Sequence, residues 1–137
     1  MSSDRPISDL AVLLRTLEPV LNSGIYVYTQ LTHGSDIAAI DAVATLRERE
    51  GITLVMREEE AQRHGLAVLF RAAWITLTVH SDLHASGLTA AFSRALADAG
   101  IACNVIAGAH HDHLFVPVEQ AQRALATLRA LQNPSGN

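Results

Sequence analysis

The sequence predicts an α+β fold: two small tandem units, residues 1–68 and 69–137, each with helices packed on antiparallel strands. Three observations predict it. Segments with period-two alternation recur between segments with a helical apolar stripe. From residue 73 onward those segments follow the order β-α-β-β-α. The composition is 49% hydrophobic and 18% charged, which excludes disorder, and with aromatics at 4% the core must be filled by Leu, Val, Ile and Ala. At 137 residues the chain is one ordinary domain or two very small ones sharing a sheet. Neither half alone can bury a generous core, so the halves are expected to pack together through joined sheets.

Residues 1–7 read as a polar tail. Ser8 is placed to cap a helix in which Leu10, Leu13, Leu14 and Leu17 follow the i, i+3, i+4, i+7 spacing. Pro19 and then Asn22-Ser23-Gly24 stop that helix. Ile25 to Leu31 is β-branched and aromatic, a strand with Ile25, Val27, Thr29 and Leu31 on one face. Residues 33–41 open on His33-Gly34-Ser35-Asp36 and read as a loop. Residues 42–50 could continue as a helix, but Glu50-Gly51 stands directly before the strand 52–56. A glycine there suits a tight turn, so 42–48 and 52–56 are read as a hairpin. Glu58-Glu59-Glu60 open a short helix, where carboxylates suit the positive end of the dipole, and Gly65 closes it.

In the second half, Ala73 to His80 alternates strongly. Ile75, Leu77 and Val79 share one face, and Trp74, Thr76, Thr78 and His80 the other. Ser81 to Ala85 is a loop. Ser86 to Ala99 is a helix with Leu88, Phe92, Ala95, Leu96 and Ala99 on its stripe, and Gly100 follows its end. Ile101 to Ala107 is a strand with Ile101, Cys103, Val105 and Ala107 on one face. Residues 108–112 turn, and His113 to Val118 is the next strand. Glu119 to Leu131 is the last helix, and 133–137 is a tail. A strand, crossover helix and strand followed by a hairpin and a helix form most of a ferredoxin-like split βαβ unit.

Several roles are excluded or disfavoured at this level. The formal charge is −4 and the arginines are scattered, which argues against nucleic-acid binding. A single cysteine, Cys103, rules out an intramolecular disulfide and a cysteine-pair metal motif. Neither a secretory leader nor a membrane-length apolar run is visible, so a cytoplasmic protein is expected. No P-loop, dinucleotide fingerprint, Gly-x-Ser-x-Gly or His-Glu-x-x-His occurs, and no cofactor is expected. His80-Ser81-Asp82 is contiguous, and strand neighbours point to opposite faces, so it is not a triad.

Ile75-Thr76-Leu77-Thr78-Val79-His80-Ser81, with Leu83 and Gly87-Leu88-Thr89-Ala90-Ala91, resembles the first strand, loop and helix of an ACT domain. Ala99 to Gly108, with its Ala-Gly-Ile helix end and Asn104, resembles the second ACT strand. His111 to Val118 resembles the third, and Glu119-Gln120-Ala121 with Ala124-Leu125 the second helix. The whole chain is similar to small bacterial tandem ACT proteins whose first half carries Thr-x-Arg-Glu-x-Glu-Gly-x-Thr-Leu-Val, here Thr45 to Val55. It departs from them at Ala109-His110, where two aromatic residues are usual.

The resemblance implies a regulatory, allosteric module without catalysis that binds a small molecule, an amino acid by analogy. The site would be the loop Ser81, Asp82, His84, Ser86, Gly87 and Leu88, with Asn104, Val105, His111, Asp112 and His113 nearby. A ligand carboxylate would meet the amides of residues 86–88 at the helix start, and Asp82 or Asp112 would meet its ammonium. The plainer reading is that Ser86 caps the helix and Gly87 serves packing. Asn104 faces away from Cys103 and Val105 and would bond either a ligand or a neighbouring strand edge. His110-His111-Asp112-His113 also invites a metal or a His-dependent reaction, with His80 or His84 completing a two-His site. The geometry argues against a closed site, since His111 and His113 share one strand face while His110 and Asp112 share the other. A ligand-free interaction domain is the third reading. Free sheet edges predict a homodimer.

Overall fold

The computed structural model describes residues 9–78 and 87–133. In chain order it comprises α1 (Leu10–Thr16), β1 (Pro19–Leu21), β2 (Tyr26–Leu31), β3 (Ala42–Glu48), β4 (Gly51–Arg57) and α2 (Glu58–Arg63). These are followed by β5 (Phe70–Leu77), α3 (Leu88–Asp98), β6 (Asn104–Ala107), β7 (Asp112–Pro117) and α4 (Ala121–Ala130), the last preceded by a 3-10 turn at Val118–Gln120. The strands form one antiparallel sheet in the order β3-β4-β2-β5-β7-β6, with β1 also on β5.

β5 is the strand both units share. On one side it pairs with β7 from Ala72 to Leu77. Its other side is divided: Phe70 to Ala72 pair with β2, and Ile75 to Leu77 pair with β1. Each unit is a split crossover. β4 passes through α2 to β5 around β2, and β5 passes through α3 to β6 around β7. The joined sheet expected from the short halves is therefore observed, and its physical basis is one strand contributing to two cores.

Some boundaries move. Asp9, not Ser8, caps α1: its Oδ1 accepts from the amides of Ala11 at 2.9 Å and Val12 at 3.4 Å, while Ser8 lies outside the described residues. The strand expected from Ala73 starts at Phe70, and its expected end, Val79 and His80, lies outside the described residues. Ile101 to Cys103 lead into β6 rather than forming part of it. Asn22-Ser23-Gly24 do not merely end a helix. Pro19–Leu21 is a strand that the sequence reading missed, and Ser23 and Gly24 are two extra residues bulging between β1 and β2 as both follow β5. Gly24 has φ +98°, and a Cβ there would stand 2.7 Å from the Arg57 guanidinium. The helix at 58–63 ends as expected. Gly65 at φ +65° lets its amide reach Gln62 O while the Leu66 amide reaches Ala61 O.

Three apolar clusters fill the fold. On the helix-covered face, Leu13 and Leu17 join Ile75, Leu77, Leu114 and Val116 of the sheet with Leu88, Phe92 and Leu96 of α3 and Leu125 and Leu128 of α4. Val27, Ile52, Leu54 and Met56 pack with Ala61 of α2 and with Ile37 and Ile40 of the 33–41 loop. The third cluster, Tyr26, Val55, Ala72 and Phe115 with Tyr28, Phe70, Trp74 and Ile106, lies on the face that carries no helix. Phe115 and Ala72 are nevertheless fully buried, because the sheet curls that face inward on itself.

Candidate functional site

The curl makes a cleft. β3 and β6 are opposite ends of the sheet, yet both line one cavity of about 340 Å³: Ala44, Thr45 and Leu46 from β3, and Asn104, Val105 and Ile106 from β6. Tyr28, Thr53 and Val55 complete it. Ala44 and Ile106 are also walls of an adjoining lobe of about 190 Å³, where Val43, Trp74, His113 and Phe115 meet. Edge-to-face contacts set the aromatic floor, with Tyr26 and Trp74 rings 5.1 Å apart and Tyr28 and Phe115 rings 5.7 Å apart.

Register explains the placement of the predicted residues. Trp74, Phe115 and Asn104 lie side by side across β5, β7 and β6, and two residues along lie Thr76, His113 and Ile106. All six share the inward-curled face. His113 is held by a network. The Trp74 Nε1–H, which can only donate, gives a hydrogen bond to His113 Nδ1 at 3.1 Å, and the Thr76 hydroxyl lies 3.3 Å from the same nitrogen. Asn22 Nδ2 in turn donates to that hydroxyl at 2.9 Å. With Nδ1 accepting, the neutral ring carries its proton on Nε2. Burial lowers the His113 pKa, the His111 charge lowers it further and Asp112 opposes them. A Cβ on Gly108 would stand 3.2 Å from His113 Nε2, so the glycine makes room for the ring.

Asp112 faces the other way, level with Leu77 and Ala107 at the end of the sheet where β5 leads toward α3. Burial raises its carboxyl pKa, against the pull of His113 and His111. His111 neighbours His113 with ring centroids 6.5 Å apart, and its Nδ1 is buried with no hydrogen-bond partner among the described residues. Gly87 occupies the N-cap position of α3 at φ +97°, and a Cβ there would stand 3.2 Å from Leu10. This glycine serves the packing of α1 on α3. Leu88 is buried in the helix-side core, leaving its amide as the group that could meet a ligand. Ser81, Asp82, His84 and Ser86 lie outside the described residues, as does His80.

The residues predicted as one site therefore do not gather in one place among the described residues. Asn104, Val105 and His113 belong to the cleft, while Asp112 and Leu88 lie at the sheet end and helix start. Tyr28, Ala44, Leu46 and Trp74 were not foreseen as site residues. Their only sequence signal was alternation in strands, which reports a face but not that two sheet ends meet. Among the described residues no three His, Cys, Asp or Glu side chains are grouped to hold a metal ion. Cys103 is half-buried, and desolvation pushes its thiol up to about 11, so it is not a reactive thiolate.

An ACT-domain family model matches residues 5–73, and a second ACT-domain model matches residues 70–130. The chain belongs to the ACT domain family. Its two ACT units are the two split crossovers that share β5. A Vibrio cholerae protein of unknown function, described as a possible transport protein, is 46% identical, with a TM-score of 0.82 over 90% of this chain and 96% of its own. An Agrobacterium tumefaciens protein has a TM-score of 0.68 at 16% identity, covering 85% of this chain and 89% of that one. The regulatory subunit of aspartate kinase from Thermus flavus has a TM-score of 0.64 at 13% identity, covering 82% and 95%. The latter two show a shared ACT fold. No curated protein matches the chain. Among the described residues no helix is long and apolar enough to cross a membrane.

Proposed function

We propose that this tandem ACT protein is a regulatory module without catalysis that binds an amino acid, acts in the cytoplasm as a homodimer, and is divided near residues 68 and 69. The observation that carries the reading is Asp112. It is a half-buried carboxylate at the end of the sheet where β5 leads toward the start of α3. The first amides of α3 have no helical partners of their own, and Gly87 supplies no capping side chain. An amino acid offers the matching pair: its carboxylate suits the helix start, and its ammonium offsets the desolvation of Asp112. Ser81, Asp82, His84 and Ser86 are proposed to complete the site. β3 and β6, the end strands of the sheet among the described residues, are the surfaces through which two copies would pair.

The test is a thermal shift panel of the standard amino acids. A selective ligand at a hundred times its dissociation constant stabilises by about 2.7 kcal/mol, roughly 8–14 °C for a chain of this size. Asp112→Asn is expected to abolish that shift without lowering the unliganded melting temperature, since it removes a desolvated charge. Silence across the whole panel overturns the reading, and so does an undiminished shift in Asp112→Asn. A strictly monomeric mass at high micromolar concentration by light scattering refutes the homodimer.

A further inference from the structure

We propose that the cleft between the two free sheet edges is a second small-molecule site, separate from the sheet-end site. Its ligand is a compact, uncharged, largely apolar ring compound carrying one amide-like group.

The shape comes first. A cavity of about 340 Å³ lies at the small end of the roughly 300–1,000 Å³ typical of ligand pockets. That volume suits one ring and a substituent, not a helix. Ala44 and Ile106, common to both lobes, join it to the aromatic lobe. At the rim stand large apolar side chains that the fold leaves uncovered, Leu46 at 61% exposure and Val43 at 39%. Tyr28, Val55 and Ile106 provide the apolar interior.

The chemistry comes next. Among the described residues, no side chain lining either lobe carries a formal charge near neutral pH. Tyr28 is the single titratable group lining the larger lobe among the described residues, and burial together with the nearby Cys103 raises its phenol above the ordinary 10.0. In the smaller lobe His113 is held neutral by its bonds to Trp74 and Thr76. An ionic ligand would lose hydration here and gain no counter-charge. Asn104 is the polar anchor. Its amide offers both a donor and an acceptor, and it forms no side-chain hydrogen bond among the described residues, whereas the Thr53 hydroxyl is committed to Glu48.

Trp74 is the chain's only tryptophan and lines the smaller lobe, so its emission reports occupancy directly. Benzamide titrated into the wild-type protein is expected to change that emission saturably, with a dissociation constant of about a millimolar. Asn104→Ala is expected to weaken binding about tenfold. Ala44→Leu enlarges the wall common to both lobes and is expected to abolish the response. Leu46→Glu, at an exposed position that folding tolerates, is expected to weaken it. Benzoate, the same ring with a charge, is expected to bind at least about tenfold more weakly. A response that never saturates overturns the proposal. Equal binding by Leu46→Glu or by benzoate does so too. If Leu46→Glu changes the mass in solution and leaves the benzamide response intact, the cleft is an interface between copies and the proposal is wrong. Any amino-acid shift from the sheet-end site is expected to survive these cleft variants, so the two sites fail separately.

Discussion

Leu17→Ala probes how the N-terminal helix is built into the second unit. Leu17 is fully buried and packs with Leu13 against a core whose other members come from β5, α3, β7 and α4, with Ile101 ahead of β6. Its carbonyl also accepts a hydrogen bond from the Gln132 side chain at the far end of the chain. Removing a fully buried leucine to alanine deletes apolar contacts and leaves a cavity that the neighbours only partly fill. The cost is about 3 kcal/mol, within the usual spread of roughly 2–5. For a chain of 137 residues that lowers the melting temperature by about 10 °C. Trp74 reports the shared strand β5 by fluorescence, while far-ultraviolet circular dichroism reports the whole sheet. If α1 belongs to that shared core, both signals move together. The reasoning is refuted if the Trp74 transition stays at its wild-type temperature while only part of the dichroism shifts.

Other outcomes follow from single contacts. Gly51→Ala is expected to lower stability by about 2 kcal/mol or more, measured by urea titration, because a Cβ would stand 2.6 Å from the Leu31 carbonyl oxygen and backbone cannot yield cheaply. Asp9→Ala is expected to cost about 1 kcal/mol by removing the cap of α1, again read by urea titration. His113 has a lowered pKa, so its contribution is full above the ordinary 6.5 and is lost as pH falls through the lowered value. Asp112 has a raised pKa, so its contribution has the opposite sign: it is present below the ordinary 3.8 and lost as pH rises through the raised value. The stability difference between wild type and His113→Gln is therefore expected to shrink as pH drops below about 6.5. A pH-independent difference between the two proteins refutes the assignment of His113.

Much of this was legible in one dimension. Alternation marked β2 and the core of β5, because a half-buried strand must alternate, while the β3–β4 hairpin was read from Gly51 at its turn. Gly65 and Gly100 marked helix ends, since each takes the positive φ that ends a helix cheaply. β1 was missed because Pro19, Val20 and Leu21 are too few to show a period, and they form a strand only because the edge of β5 beyond Ala72 is left open by β2. Predicted site residues diverged for a similar reason. Asp112 and His113 are adjacent in sequence but face opposite sides of the sheet, so one belongs to the sheet end and the other to the cleft.

The sequence by itself determined most of the strands and helices and which side of each faces a core. Those are local properties, set by side-chain period, glycine conformation and the apolar content of the chain. Tertiary structure alone decided that β5 serves both units, that α1 packs in the second unit's core, and that the ends of the sheet approach closely enough to enclose a cleft. These depend on the accumulated curl of a whole sheet and on pairings between residues about fifty apart, such as Leu21 with Ile75. No local pattern carries that information.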